Sequence, residues 1–213
     1  MNPFGKLATS VALLVIIGGA RASAQDYSRL SLIRDVTTRD LVRNLLGSAF
    51  SRGVPTDPLM SKALEGVAKR ASASTIRDVM KSLEKRMRKA QDALGKDASV
   101  DEVAAGADAL SLGVSDKTLK QMRNVAPRRS IALEIGVLTE LVARGVGPSR
   151  ASQRVLDLMA RGATGVQLTT LSNDVQGDVA AGLNPEVALN LRGKGIMSLL
   201  PPPPSAATLQ PPK

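Results

Sequence analysis

Histidine, cysteine and tryptophan are absent from this chain of 213 residues, and its aromatics are one tyrosine and two phenylalanines. Each absence removes a class of chemistry. Without histidine or cysteine there is no Ser-His-Asp or Cys-His arrangement, no His-based zinc site and no haem ligand of the usual kind. No disulfide can form, so packing alone must hold the fold, even in an oxidising compartment. So few aromatics leave little on which to stack sugars or unpaired bases, which weighs against glycan and single-strand binding. No cofactor is implied. Gly193-Lys194-Gly195 is not a phosphate loop, because position 188 is alanine and no Ser or Thr follows the lysine.

What is present begins with an address. Lys6 precedes an apolar run from Leu7 through Ile17, Gly18-Gly19 breaks it, and Ala22-Ser23-Ala24 supplies small residues for a signal peptidase. The run is shorter than the ~20 residues a helix needs to cross a bilayer. Residues 1–24 therefore read as a signal peptide cleaved after Ala24, leaving Gln25 first and no transmembrane span. The expected destination is the periplasm or the outside. Removing Lys6 and Arg21 leaves 27 basic against 19 acidic side chains, a mature charge of +8.

Beyond Val36 the chain reads as helix after helix. Six junctions contain glycine: Gly53, Gly95, Gly113, Gly145, Gly162 and Gly182. Glycine suits the left-handed position just past a helix end because it has no Cβ to clash. A capping residue or proline follows each within a few positions: Thr56, Ser99, Ser115, Pro148, Thr164 and Asn184-Pro185. Ser99-Val100-Asp101-Glu102 is a capping box by sequence. Two further junctions, near 72–74 and at 127–130, lack glycine. The helices expected are 38–52, 57–70, 74–94, 99–112, 116–126, 130–144, 148–161, 164–181 and 185–193. Their apolar residues recur at three and four, and no strand-like alternation is found.

The expected fold is all-α, an array of about nine short helices that is either an irregular α-solenoid or an orthogonal bundle. Five junctions share one template: Ser-Arg-Gly-Val at 51–54, Ser-Leu-Gly-Val at 111–114, Ala-Arg-Gly-Val at 143–146, Ala-Arg-Gly-Ala at 160–163 and Ala-Ala-Gly-Leu at 180–183. Shared end chemistry of this kind fits stacked helical repeats and also any protein of short helices. The helix at 130–144 has little polar face and should be the buried centre of the C-terminal half. Ile76, Met80, Leu83, Met87, Ala90 and Leu94 form a heptad-like seam that suits a packed groove or a dimer contact. Residues 25–37 form an N-terminal segment, 38–195 the helical domain, and 196–213 a proline-rich tail that cannot be helical through Pro201–Pro204.

Two features carry candidate chemistry. Arg77, Lys81, Lys85 and Arg88 fall at spacings of four, four and three, with Arg86 and Lys89 beside them. Such a face suits an anionic surface such as lipid headgroups or an envelope polymer, and equally a solvated outer face. Residues 25–95 carry 14 basic against 8 acidic side chains. Duplex nucleic acid is disfavoured, since export takes the protein away from it and no DNA-binding module is legible. Glu134 interrupts the most apolar helix, where burial would suit it to general-acid work in a carboxylate-dependent cell-wall hydrolase. No second carboxylate is placed beside it by sequence, and a structural role is expected.

Gly53-Val54-Pro55, Leu64-Glu65-Gly66-Val67-Ala68-Lys69, Ala104–Leu110 and Leu141–Val146 resemble a group of secreted, all-helical bacterial proteins of unknown function. The resemblance spans most of residues 50–190 and implies bacterial origin and an exported helical domain, with no activity or site residues to carry over. The expected function is a non-enzymatic helical binding or scaffold protein of the cell envelope, with a protein or an anionic envelope polymer as partner. The alternative is a basic periplasmic chaperone-like or polyanion-binding factor. Oligomeric state is not legible.

Overall fold

Helix ends set the architecture. The computed structural model describes residues 28–202; the expected signal peptide with its expected cleavage site, and the tail from 203 onward, lie outside the described residues. Among the described residues there are nine α-helices and no strand: α1 Val36–Ser51, α2 Asp57–Ala68, α3 Ala73–Leu94, α4 Val100–Ser111, α5 Asp116–Val125, α6 Ala132–Ala143, α7 Pro148–Ala160, α8 Gly165–Ala180 and α9 Pro185–Leu199. All six junction glycines have positive φ, from 71° at Gly53 to 96° at Gly145.

The recurring template is a Schellman motif, in which two amides beyond the helix close back on its last carbonyls. After α4, Gly113 N–H donates to Leu110 O and Val114 N–H to Ala109 O. The same pair of bonds ends α1, α6, α7 and α8. The apolar residue after each glycine is the hydrophobic contact of that motif: Val54, Val114, Val146 and Ala163 are buried, while Leu183 stays partly open at the end of the array. The junction after α2 makes the same bonds with Arg70 in the left-handed position, at φ 54°.

The packing is sequential. Every helix pair in substantial contact lies one or two places apart in the chain. α1, α3, α5, α7 and α9 pack side by side as one row, and α4, α6 and α8 as a second. α2 begins the second row against α1 and α3. The rows meet where α3 packs on α4, α6 on α7 and α8 on α9. This near-neighbour pattern is that of a helical solenoid, in which each unit buries its apolar face on the next.

The heptad-like seam is consumed inside this array. Met80, Met87 and Ala90 are fully buried, as α3 packs against α1, α2, α4 and α5. α6 is buried as expected through Ile135, Val137, Leu138 and Leu141, although Leu133 is exposed. Before α1, a 3-10 turn at Leu30–Leu32 buries Leu30 and Ile33, so the segment ahead of the first helix joins the core. The last helix runs to Leu199 rather than stopping at 193. Gly193 is buried there, and a Cβ at that position would meet Arg154 Cδ at 2.7 Å.

Candidate functional site

The two rows carry opposite charge. The odd-numbered helices hold 15 basic and 7 acidic residues; the even-numbered ones hold 1 basic and 9 acidic. Helices α4, α6 and α8 contain no Lys or Arg. Part of this segregation is internal glue. Arg192 of α9 forks onto Asp178 of α8 at 2.7 and 2.6 Å, and Arg123 of α5 pairs with Glu102 of α4. Arg192 holds the Asp178 carboxyl below its ordinary value through these hydrogen bonds.

Glu102 does more than close its capping box. One carboxylate oxygen accepts the Ser99 N–H at 2.8 Å, and the other accepts the Ile131 N–H at 2.8 Å and the Arg123 guanidinium. Burial by itself would push the Glu102 carboxyl up, but the Ser99 and Ile131 amides and Arg123 outweigh it and keep it below the ordinary glutamate value. Arg123 also donates to the carbonyls of Ala126 and Arg129, at 3.2 and 3.0 Å. One buried acid and one arginine thus hold the junction between α5 and α6, which has no glycine. Sequence pattern located the capping box but not this bond to an amide 29 residues away.

Glu134 is 2 % exposed and pairs with Arg129 at the first turn of α6. The Arg129 guanidinium and the start of α6 both face the Glu134 carboxylate, a pairing that suits a buried acid at a helix N-terminus. That arrangement fits a structural role at the head of α6. Among the described residues no group of three or more acidic side chains is placed to hold a metal ion.

The six residues of the expected basic face do not behave alike. Arg77 donates to Thr38 Oγ1 at 3.3 Å and lies 3.6 Å from Asp35, tying α3 to the start of α1. Arg88 lies 3.6 Å from Glu84, and Lys89 3.3 Å from Asp116 at the start of α5. Arg86 leaves that face: it is half-buried, donates to Ser82 Oγ at 2.6 Å, and lines a cleft with Lys62, Glu65 and Asp108. Lys81 and Lys85 are exposed and have no ion-pair or hydrogen-bond partner among the described residues.

The array supplies what the single helix lacks. Lys117 and Lys120 of α5 and Lys194 of α9 are exposed and likewise unpartnered among the described residues. With Lys81 and Lys85, five exposed lysines without partners among the described residues lie on helices of the odd row. Two clefts lie between helices of that row. One, of about 610 Å³, lies between α5 and α7 and is lined by Ser115, Lys117, Gln121, Asn124 and Gln153 among others. The other, of about 270 Å³, lies between α7 and α9 and is lined by Arg150, Gln153, Arg154 and Asn190 among others.

Fold and charge define a class: a two-row α-helical array with basic side chains in excess on one row. Comparison with protein-family models, with curated proteins and with solved structures finds no match. No helix among the described residues is long and apolar enough to cross a membrane.

Proposed function

We propose that this is an exported, non-enzymatic binding protein of the cell envelope that holds an anionic partner along its row of odd-numbered helices. The observation that carries the reading is the set of exposed lysines left over on that row after the inter-row ion pairs are made: Lys81, Lys85, Lys117, Lys120 and Lys194. An amine without a local counter-ion gains most when an external anion approaches, and an extended row offers many at once. The expected export signal and the resemblance to secreted helical proteins support an envelope partner over chromosomal nucleic acid.

The test is binding of the mature protein to immobilised linear polyanions across a salt series. Affinity should fall steeply as salt rises, because exposed charge contacts are screened beyond about 10 Å at 0.1 M ionic strength. Replacing Lys81, Lys85, Lys117 and Lys120 together with Gln should weaken binding at low salt and flatten that dependence. Binding indifferent to both salt and the four substitutions would sink the proposal. Export is tested separately, by sequencing the mature N-terminus, which should be Gln25.

A further inference from the structure

We propose that the partner is an extended acidic polypeptide whose backbone lies across α5, α7 and α9 and is read by a ladder of primary amides, Gln121, Gln153 and Asn190. The inference rests on the function proposed above and names the chemical class of its partner.

The three amides occupy one register. Each is the sixth residue after its helix N-cap, which is Ser115 for α5, Gly147 for α7 and Asn184 for α9. The helix starts are stacked in space as well. A Cβ built on Gly113 would lie 3.6 Å from Pro148 at the head of α7, and one on Gly145 would lie 3.4 Å from Pro185 at the head of α9. Equal offsets from stacked starts bring the three side chains into line across the row. Gln121 and Gln153 line the cleft between α5 and α7, and Gln153 and Asn190 the cleft between α7 and α9. All three are exposed. Gln121 and Gln153 have no partner among the described residues, while Asn190 Oδ1 accepts Arg154 Nη2 at 3.2 Å.

A primary amide offers two donors and an acceptor, the complement of one peptide unit. Packed helices lie about 8–10 Å apart, and an extended polyproline II chain advances about 9 Å per three-residue turn. Each turn of a bound peptide therefore meets one helix and one amide, with the same backbone edge presented every third residue. Lys117, exposed and lining the first cleft, and Lys120, exposed one helical turn further along α5, favour acidic side chains on that peptide. The absence of aromatics from both clefts gives no stacking platform for sugar rings or bases.

The experiment compares two labelled polymers of matched charge, poly-L-glutamate and linear polyphosphate, on the wild-type mature protein and two variants. The first variant is Gln121→Ala with Gln153→Ala and Asn190→Ala, which leaves the charge unchanged. The second is the four-lysine variant described above. Circular dichroism confirms that both remain helical. The amide variant should lose about tenfold or more in affinity for poly-L-glutamate, the scale of three lost hydrogen bonds, and stay within about twofold for polyphosphate. The lysine variant should weaken both. If both polymers bind and the amide variant holds each as the wild type does, the peptide ladder is wrong and the anionic-partner reading stands. Equal losses on both polymers would also overturn the ladder, because the amides would then not be reading peptide groups. Failure of both polymers to bind the wild type would remove both proposals.

Discussion

The odd-numbered and even-numbered helices do the same packing work with opposite electrostatics. Both rows bury leucine, valine and methionine on their facing sides. The acids of the even row are largely used within the molecule: Glu102 by Arg123, Glu134 by Arg129, Asp174 and Asp178 by Arg192, and Glu140 by the Ser172 hydroxyl at 2.6 Å. The cations of the odd row outnumber these acids, and the surplus lies exposed. Charge segregation in a two-row array thus does two jobs. It draws the rows together where they meet and leaves one outer surface with unspent cations.

Four measurements break or sharpen this contrast, in falling order of effect. The two rows approach closely at Gly106 of α4, where an added Cβ would lie 2.9 Å from Ala90 Cβ of α3 and 3.2 Å from Leu94 Cδ1. Gly106→Leu should destabilise the protein by about 3 kcal/mol, the upper range for overpacking a filled core. Urea unfolding gives the value. An unchanged midpoint would mean that α3 and α4 do not meet as closely as described.

Glu102→Ala comes next. It leaves the Ile131 and Ser99 amides and Arg123 without their acceptor. Breaking a fully buried pair costs about 3–5 kcal/mol, and partial access of water to Arg123, whose side chain is 19 % exposed, reduces the expected loss to about 2–3 kcal/mol. Thermal unfolding should show the loss alongside that of Arg123→Ala, with the double variant falling well short of the sum. Full additivity would show that the two do not act as a unit.

Acid should dissolve the inter-row attraction. Carboxyls held below their ordinary values stabilise the fold above those ordinary values, and lose the contribution as pH falls through the folded value. For Glu102 the loss begins below the ordinary value of 4.5. For Asp178, held down by hydrogen bonds from Arg192 of α9, it begins below the ordinary value of 3.8. Stability should therefore be level near neutrality and decline from about pH 4.5 downward, and Glu102→Gln should make that decline shallower. Rising stability on acidification would contradict the assigned pairs.

The smallest effect comes from a helix end. Arg70 holds the left-handed position that glycine holds in the other Schellman junctions. A side chain there costs about 1 kcal/mol, so Arg70→Gly should raise stability by up to about that amount. The same exchange at a position of ordinary φ would lower it. A loss at Arg70 would show that its side chain makes a contact worth more than the backbone strain.

Helix number, helix limits and the glycine turns were legible because they depend on neighbours in the chain. A glycine after an amphipathic run, followed by a capping residue, is a local instruction, and it held at Gly53, Gly113 and Gly145 alike. The end of α9 was not legible, because Gly193 reads as a stop from its neighbours but lies inside the helix, where Arg154 of α7 packs into the space a Cβ would take. The basic face was only partly legible. Spacing put Arg77, Lys81, Lys85 and Arg88 together, but could not show that Arg77 is engaged by Asp35 and Thr38, or that Lys89 meets Asp116. Nor could it show that Glu102 reaches across to Ile131, or that Gln121, Gln153 and Asn190 share a register.

The sequence by itself determined the absences, with no histidine, cysteine or tryptophan to build common active sites from, and it determined where each helix starts and turns. Local propensity, capping and glycine's missing Cβ act within a few residues, so they can be read in order along the chain. Which helix lies beside which was decided only by the tertiary structure. Packing at one and two places along the chain sorts the helices into two rows, and that sorting selects the charges that meet. It pairs most of the acids internally and leaves Lys81, Lys85, Lys117, Lys120 and Lys194 on the odd-numbered helices among the cations still open to a partner.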